Sequence, residues 1–152
     1  ERLVDLVAGA SREADVVCVR AFQAAVGCVE TVRGKVIWRQ AASGSVGVHG
    51  DDHQVYGVEA DGRVLSWSAS DGKQVWETDR LRFRQLSAPL VLGRSVVVGD
   101  NSGFVHFVSR VDGSLLTRLT TDGSAISVTP VSADGTLVVV TRNGGVFGFR
   151  PE

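Results

Sequence analysis

Methionine is absent from this chain, cysteine occurs twice, proline three times and tyrosine once. No apolar run reaches the roughly 18 residues that a membrane-crossing helix needs, and no stretch has a signal-peptide or lipidation pattern. Neither sign of charge is in excess: 16 Lys and Arg stand against 17 Asp and Glu, a net charge of −1. That balance lacks the basic footprint of a nucleic-acid binder, so no nucleic-acid partner is expected. No segment holds a 3.6-residue apolar period for three turns, which leaves helix without a candidate. What remains is 43% hydrophobic residues and 18 glycines in 152 residues, the composition of a turn-rich β protein long enough for one domain. The chain opens mid-pattern at ERLVDL, so an upstream segment is expected.

A unit recurs about three and a half times. Residues 16–38, 54–76, 95–117 and 137–150 superpose so that Ala24, Gly62, Gly103 and Gly144 coincide, at spacings of 38, 41 and 41. Gly34, Gly72 and Gly113 form a second shared column, and Trp38, Trp76 and Thr117 a third. A period of about 40 residues with several short strands per unit is the mark of a β-propeller. In the third unit, SAPLVLG suits a strand start because of its proline, and Ser95–Asp100 reads as a buried strand. Asn101-Ser102-Gly103 is a turn, Phe104–Ser109 the next strand, Asp112-Gly113 a second turn, and Leu115–Thr120 closes the unit. Four antiparallel strands make one blade.

The expected fold is all-β: a partial β-propeller of about four blades, each a four-stranded antiparallel sheet. It forms a single domain over 1–152, with blades near 1–42, 43–80, 81–122 and 123–152. Glu1–Ala10 reads as the first strand of the first blade. Ala24, standing where other units have Gly, predicts a distorted or longer turn. The last blade has strands near 125–132, 136–142 and 145–150 and lacks a fourth, so half of an eight-bladed propeller with two open ends is expected.

Gly34-Lys-Val-Ile-Trp38 and Gly72-Lys-Gln-Val-Trp76 resemble the quinoprotein-dehydrogenase-like propeller repeat, whose Trp docks between neighbouring blades. The whole chain resembles more closely the C-terminal half of the BamB family of outer-membrane assembly lipoproteins. The resemblance rests on ERLVDL at the start, LSAPLVLGRSVVVGDNSGFVHFVSRVDGSLL at 86–116 and VTPVSADGTLVVVTRNGGVFGF at 128–149. It implies an eight-bladed, non-enzymatic scaffold at the periplasmic face of the outer membrane, held by an N-terminal lipid and binding the periplasmic POTRA domains of BamA. It also implies that Asp5, with Arg2 and Leu3 beside it, belongs to a partner-binding loop, although a second acid of that loop is Val7 here. Exposed strand edges are expected to take nascent, unfolded outer-membrane protein strands by β-augmentation. Two copies of the chain are expected to be able to pair their open ends as a homodimer.

Catalysis finds little purchase. A quinone-dependent dehydrogenase, the main alternative, carries adjacent cysteines and a carboxylate-rich calcium site. Here Cys18 and Cys28 stand ten residues apart and no such cluster is evident, so no cofactor and no catalytic residue are assigned; a generic propeller interaction module is a third reading. His49, Asp51, Asp52 and His53 could ligate zinc or nickel, but their slot in the repeat is a turn between strands. Cys18 and Cys28 flank the turn at Phe22–Ala24. A three-residue loop sets them opposite each other, within disulfide reach; a two-residue loop puts them on opposite faces. The alternative to a bridge is two reduced, buried thiols. Arg80, Arg82 and Arg84 read either as a basic patch for an acidic partner or as a solvated edge or loop with Leu81 and Phe83 turned inward. Trp38, Trp67 and Trp76 are assigned to the core.

Overall fold

Short β-branched runs, each closed by a glycine-bearing turn, leave the backbone little choice but brief strands joined by tight reversals. The computed structural model describes residues 9–150, and all regular structure among them is strand. The first sheet comprises β1 (Ser11–Glu13), β2 (Val16–Ala21), β3 (Ala25–Glu30) and β4 (Lys35–Ala41). The second comprises β5 (His49–Gly50), β6 (Gln54–Val58), β7 (Val64–Ser68) and β8 (Gln74–Thr78). The third holds β9 (Leu90–Leu92), β10 (Ser95–Gly99), β11 (Phe104–Ser109) and β12 (Leu115–Thr120), and the fourth β13 (Val131–Ala133), β14 (Thr136–Val140) and β15 (Val146–Phe149). Every sheet is an antiparallel meander in chain order. The first strands lie side by side, β1 against β5 and β5 against β9, so they line the inner edge of the array and β4, β8 and β12 its outer rim. This is a partial β-propeller whose sheets do not close into a ring.

There is no common core. Three separate clusters each fill the gap between two consecutive sheets. Cys18, Val26, Cys28 and Trp38 meet Val55, Leu65 and Trp67. Tyr56, Val58, Val64 and Trp76 meet Val96, Val98 and Val108. Val97, Val105 and Phe107 meet Leu137 and Val139. The linker ahead of each later sheet adds aliphatic plugs: Val48 to the first cluster, Leu81 and Leu86 to the second, Ile126 to the third. Stability is therefore a chain of nearest-neighbour interfaces, as in other repeat proteins. Alternation puts one face of each strand toward each neighbour. On the fourth sheet, the face opposite Leu137 and Val139 carries Val131, Val138, Val140 and Val146, of which Val146 is 71% exposed.

The tryptophans lock two of these interfaces. Trp38 Nε1 donates to the Ala69 carbonyl at 2.8 Å, and Trp76 Nε1 donates to the Arg110 carbonyl at 2.8 Å, each bond crossing to the next sheet. Each ring lies on the turn glycine of that sheet: a Cβ at Gly72 would sit 2.5 Å from Trp38 Cε3, and one at Gly113 2.6 Å from Trp76 Cε3. Both glycines also have φ in the left-handed region, +71° and +74°. A β-bulge aims the ring. The β3–β4, β7–β8 and β11–β12 ladders all shift register just before the tryptophan column, leaving Ile37, Val75 and Leu116 unpaired. The extra residue inverts the facing of the strand, so Val36 and Gln74 are exposed while Trp38 and Trp76, two residues further on, are buried. The third interface has Thr117 in this column, and a groove of ≈ 570 Å³ lined by Leu92, Phe107, Leu116, Thr117, Leu119 and Phe149 lies there.

Several boundaries differ from the sequence reading. The first strand of the first sheet is Ser11–Glu13 and not Glu1–Ala10, most of which lies outside the described residues; its partner is Val16–Cys18 across the tight turn at Ala14-Asp15. In the fourth sheet the first strand begins only after Pro130, which cannot donate to a ladder; residues 121–130 are linker. The turn at Phe22–Ala24 is three residues long, and Gln23 (φ 48°), not Ala24, takes the left-handed conformation. Phe83 is not turned inward: it is 80% exposed, with φ 64°, while Leu81 is buried.

Replacing Trp76 by Ala is expected to cost about 3–5 kcal/mol, as for other buried large-to-small changes. Thr117→Ala, at the equivalent exposed site, is expected to stay within about 0.5 kcal/mol. Urea unfolding of the two variants checks this; equal losses would mean that the indole is not what locks the sheets.

Candidate functional site

The second-to-third-strand turns and the linkers between sheets lie on one face. Backbone bonds tie them together: Gln23 N to Gly44 O at 3.0 Å, Phe83 N to Asp61 O at 3.0 Å, Thr121 N to Gly103 O at 3.1 Å and Arg142 N to Ala125 O at 2.8 Å. On this linker face, one repeat position carries an anchor that the sequence reading missed. Three residues before the turn glycine stand Glu59, Asp100 and Thr141. Each holds the linker that leads into its own sheet. Glu59 Oε2 accepts from the Ser43 N–H at 2.5 Å and the Ser43 hydroxyl at 2.8 Å. Arg84 Nη1 donates to Asp100 Oδ2 at 3.0 Å, and Thr141 Oγ1 donates to Asp122 Oδ2 at 2.8 Å. The visible signal was a polar residue ending a β-branched strand in three successive units.

Glu59 also holds Arg20 across the first interface, Nη1 to Oε1 at 3.0 Å, with both side chains buried. Burial lowers the Arg20 pKa, and the Glu59 charge and hydrogen bond oppose that. Arg20 Nε and Nη2 have no protein partner among the described residues. Desolvating a guanidinium this fully costs several kcal/mol, roughly offset by the carboxylate beside it, so the pair positions the Ser43 linker more than it adds net stability.

Asp100 is the centre of a second polar group. Its Oδ1 accepts from the Ser102 and Phe104 N–H groups at 2.9 and 3.0 Å, and its Oδ2 meets His106 Nε2 at 2.8 Å as well as Arg84. Burial alone would raise the Asp100 carboxyl, but the bonds from His106, Phe104, Ser102 and Arg84 outweigh it and hold it below the usual carboxylate range. His106 is lowered by burial, with Asp100 pulling the other way. Its ring is therefore neutral near pH 7.

The three arginines of the 79–85 segment do not form a single patch. Arg82 turns to Asp61 (3.3 Å), Arg84 to Asp100, and Arg80 has no ion pair among the described residues. The His49–His53 stretch is likewise dispersed. His49 Nδ1 accepts from the Val91 N–H at 2.9 Å, linking two inner strands. Asp51 caps the His53 and Gln54 N–H groups at 2.8 Å and pairs with Arg110. His53 is exposed beside Asp52. No cluster of three or more His, Cys, Asp or Glu able to hold a metal occurs among the described residues. Cys18 and Cys28 are directly opposed in the β2–β3 ladder, Cα–Cα 4.0 Å, and are joined by a disulfide. Arg2, Leu3 and Asp5 lie outside the described residues.

A repeated sheet with tryptophan docking frames the comparison with known proteins. The family model described as outer membrane protein assembly factor BamB matches residues 1–78, just over half of the chain. The chain belongs to the BamB family. The BamB relative from Burkholderia pseudomallei (strain K96243) is 42% identical over 152 residues, which is 100% of this chain and 40% of that protein. The crystal structure of BamB from Moraxella catarrhalis superposes with a TM-score of 0.88 over 94% of this chain and 42% of that one, at 20% identity. Quinohemoprotein alcohol dehydrogenase from Comamonas testosteroni gives a TM-score of 0.79 over 97% of this chain and 33% of that one. Its 17% identity shows a common fold and nothing of the chemistry. The chain thus spans about 40% of the length of the curated BamB relatives it matches.

Two measurements test these local arrangements. Mass spectrometry of the unreduced protein is expected to show no alkylatable thiol, and reduction is expected to cost about 3 kcal/mol in the chain-entropy model for so short a loop; two free thiols would contradict the bridge. Acid is expected to destabilise the fold. His49 and His106 are both held below the ordinary 6.5 by burial, so the unfolded chain takes up protons that the folded chain refuses. Stability is then greatest above about pH 6.5 and falls as pH drops below it. Thermal melts from pH 7.5 to 5 should show a falling midpoint that His106→Gln flattens; a pH-independent midpoint would contradict the buried neutral rings.

Proposed function

We propose that this chain is part of a non-catalytic scaffold subunit of the machinery that assembles outer-membrane β-barrel proteins, working at the periplasmic face of the outer membrane. The observation that carries this reading is 42% identity, over all 152 residues, to an outer membrane protein assembly factor. The architecture is compatible with a binding role. Glu59, Asp100 and Thr141 hold linkers, and Trp38 and Trp76 hold sheets, which leaves loops and strand edges for partner contacts. Arg2, Leu3 and Asp5 precede β1, in the part of the repeat that the linkers 42–48, 79–89 and 121–130 occupy ahead of later sheets. We assign them to contact with the periplasmic POTRA domains of BamA. The rim strands β4, β8 and β12 are the edges on which unfolded outer-membrane strands would add. A quinone-dependent dehydrogenase is disfavoured because the two cysteines are cross-strand partners and not an adjacent pair.

Biolayer interferometry of the chain against the BamA periplasmic domains tests the assignment. Wild type is expected to bind, and Asp5→Lys to weaken binding by about tenfold or more, the equivalent of about 1.4 kcal/mol. Undiminished binding of Asp5→Lys would remove the loop from the contact, and absence of binding by the wild type would remove this chain from it.

A further inference from the structure

Arg80, Arg84 and Arg118 converge on one pocket of ≈ 270 Å³, shared with Leu81, His106 and Leu115. Spacing along the chain does not announce the group. Arg80 and Arg84 come from the linker between the second and third sheets, whereas Arg118 comes from β12, directly opposite His106 in the β11–β12 register. Arg118 is held by its guanidinium stacking over the Phe104 ring at 4.2 Å. Neither Arg80 nor Arg118 has an ion-pair partner among the described residues. The lining itself holds three arginines and no carboxylate. Of the acids around it, Glu77 pairs with Arg63, Asp61 with Arg63 and Arg82, Asp112 with the Ser114 turn, and Asp100 with four donors; Asp79, next to Arg80, is exposed and outside the lining. The pocket therefore carries an excess of positive charge, presented as guanidinium forks that match a carboxylate.

Two further features narrow the ligand. Leu115 is 46% exposed at the pocket, an aliphatic surface that a bare inorganic anion would leave wet. His106 is 3% exposed and uses Nε2 on Asp100; its other ring nitrogen makes no hydrogen bond among the described residues. A neutral imidazole that donates through Nε2 leaves Nδ1 as an acceptor, which asks for an N–H. A peptide brings all three groups at once. The geometry points to this pocket as a binding site for an acidic polypeptide segment. Its carboxylate engages Arg80, Arg84 and Arg118, a neighbouring aliphatic side chain covers Leu115, and a backbone N–H meets His106. This site stands on residues 80–118 and does not depend on the Asp5 loop or on the BamA reading.

Isothermal titration of the chain with N-acetyl-Leu-Asp-Leu-Glu-amide tests it. The acidic peptide is expected to bind at least about tenfold more tightly than its Asn and Gln counterpart, and R80Q/R118Q to weaken it by a similar factor. Arg82→Gln, whose side chain points to Asp61 instead, is expected to bind like wild type. Should the double variant lose its fold by circular dichroism, Arg118→Gln alone, a change at an exposed side chain, makes the same comparison. No binding, equal binding of the two peptides, or indifference to the arginine changes would overturn the site. Inorganic phosphate or acetate binding as tightly as the peptide would overturn it too, reducing the pocket to a small-anion site.

Discussion

An indole ring seated on the turn glycine of the next sheet is the contact on which this structure depends. Three separate local features exist to make it. The bulge at Ile37 or Val75 rotates the strand so that the ring leaves its own sheet. The left-handed glycine gives both the tight turn and the space that a Cβ would fill. The carbonyl of Ala69 or Arg110 takes the indole N–H, so a large amphipathic side chain is buried with no polar group left over. Removing any one of the three leaves the other two without purpose.

Because each lock joins only neighbours, the molecule is a row of interfaces and not a globule around one centre. The third interface shows what happens when the ring is absent. With Thr117 in the column, that gap is filled by Phe107 and Leu137 from the middle strands and Ile126 from the linker, and its outer part is a groove. The linkers are fixed by a second repeating device, the polar residue at Glu59, Asp100 and Thr141. This second device engages Arg20, Glu59, Asp100, His106 and Thr141, five of the ten buried polar side chains among the described residues.

Much of the fold was legible in the sequence, and the misses have specific causes. The glycine and tryptophan columns identified the blades because their roles are tied to position in the unit. The β10 and β11 spans, and the turn between them, followed from β-branched runs and turn residues. Phe83 was expected inward because it alternates with the arginines, whereas in this linker turn, of the two apolar residues, only Leu81 reaches the core. Gln23 was missed because a three-residue turn moves the left-handed position one residue ahead of the glycine column.

By itself the sequence determined the number of sheets, their order, the strand-to-strand turns and the residues that fill the gaps, since all of these are properties of one forty-residue unit and its copies. Only the tertiary structure decided which polar groups meet. Arg20 and Glu59 stand 39 residues apart, and Arg80, His106 and Arg118 come from a linker and two strands. Their meeting depends on the bulges and on how one sheet stacks on the next. A one-residue shift of register inverts every facing, and nothing in the spacing along the chain records it.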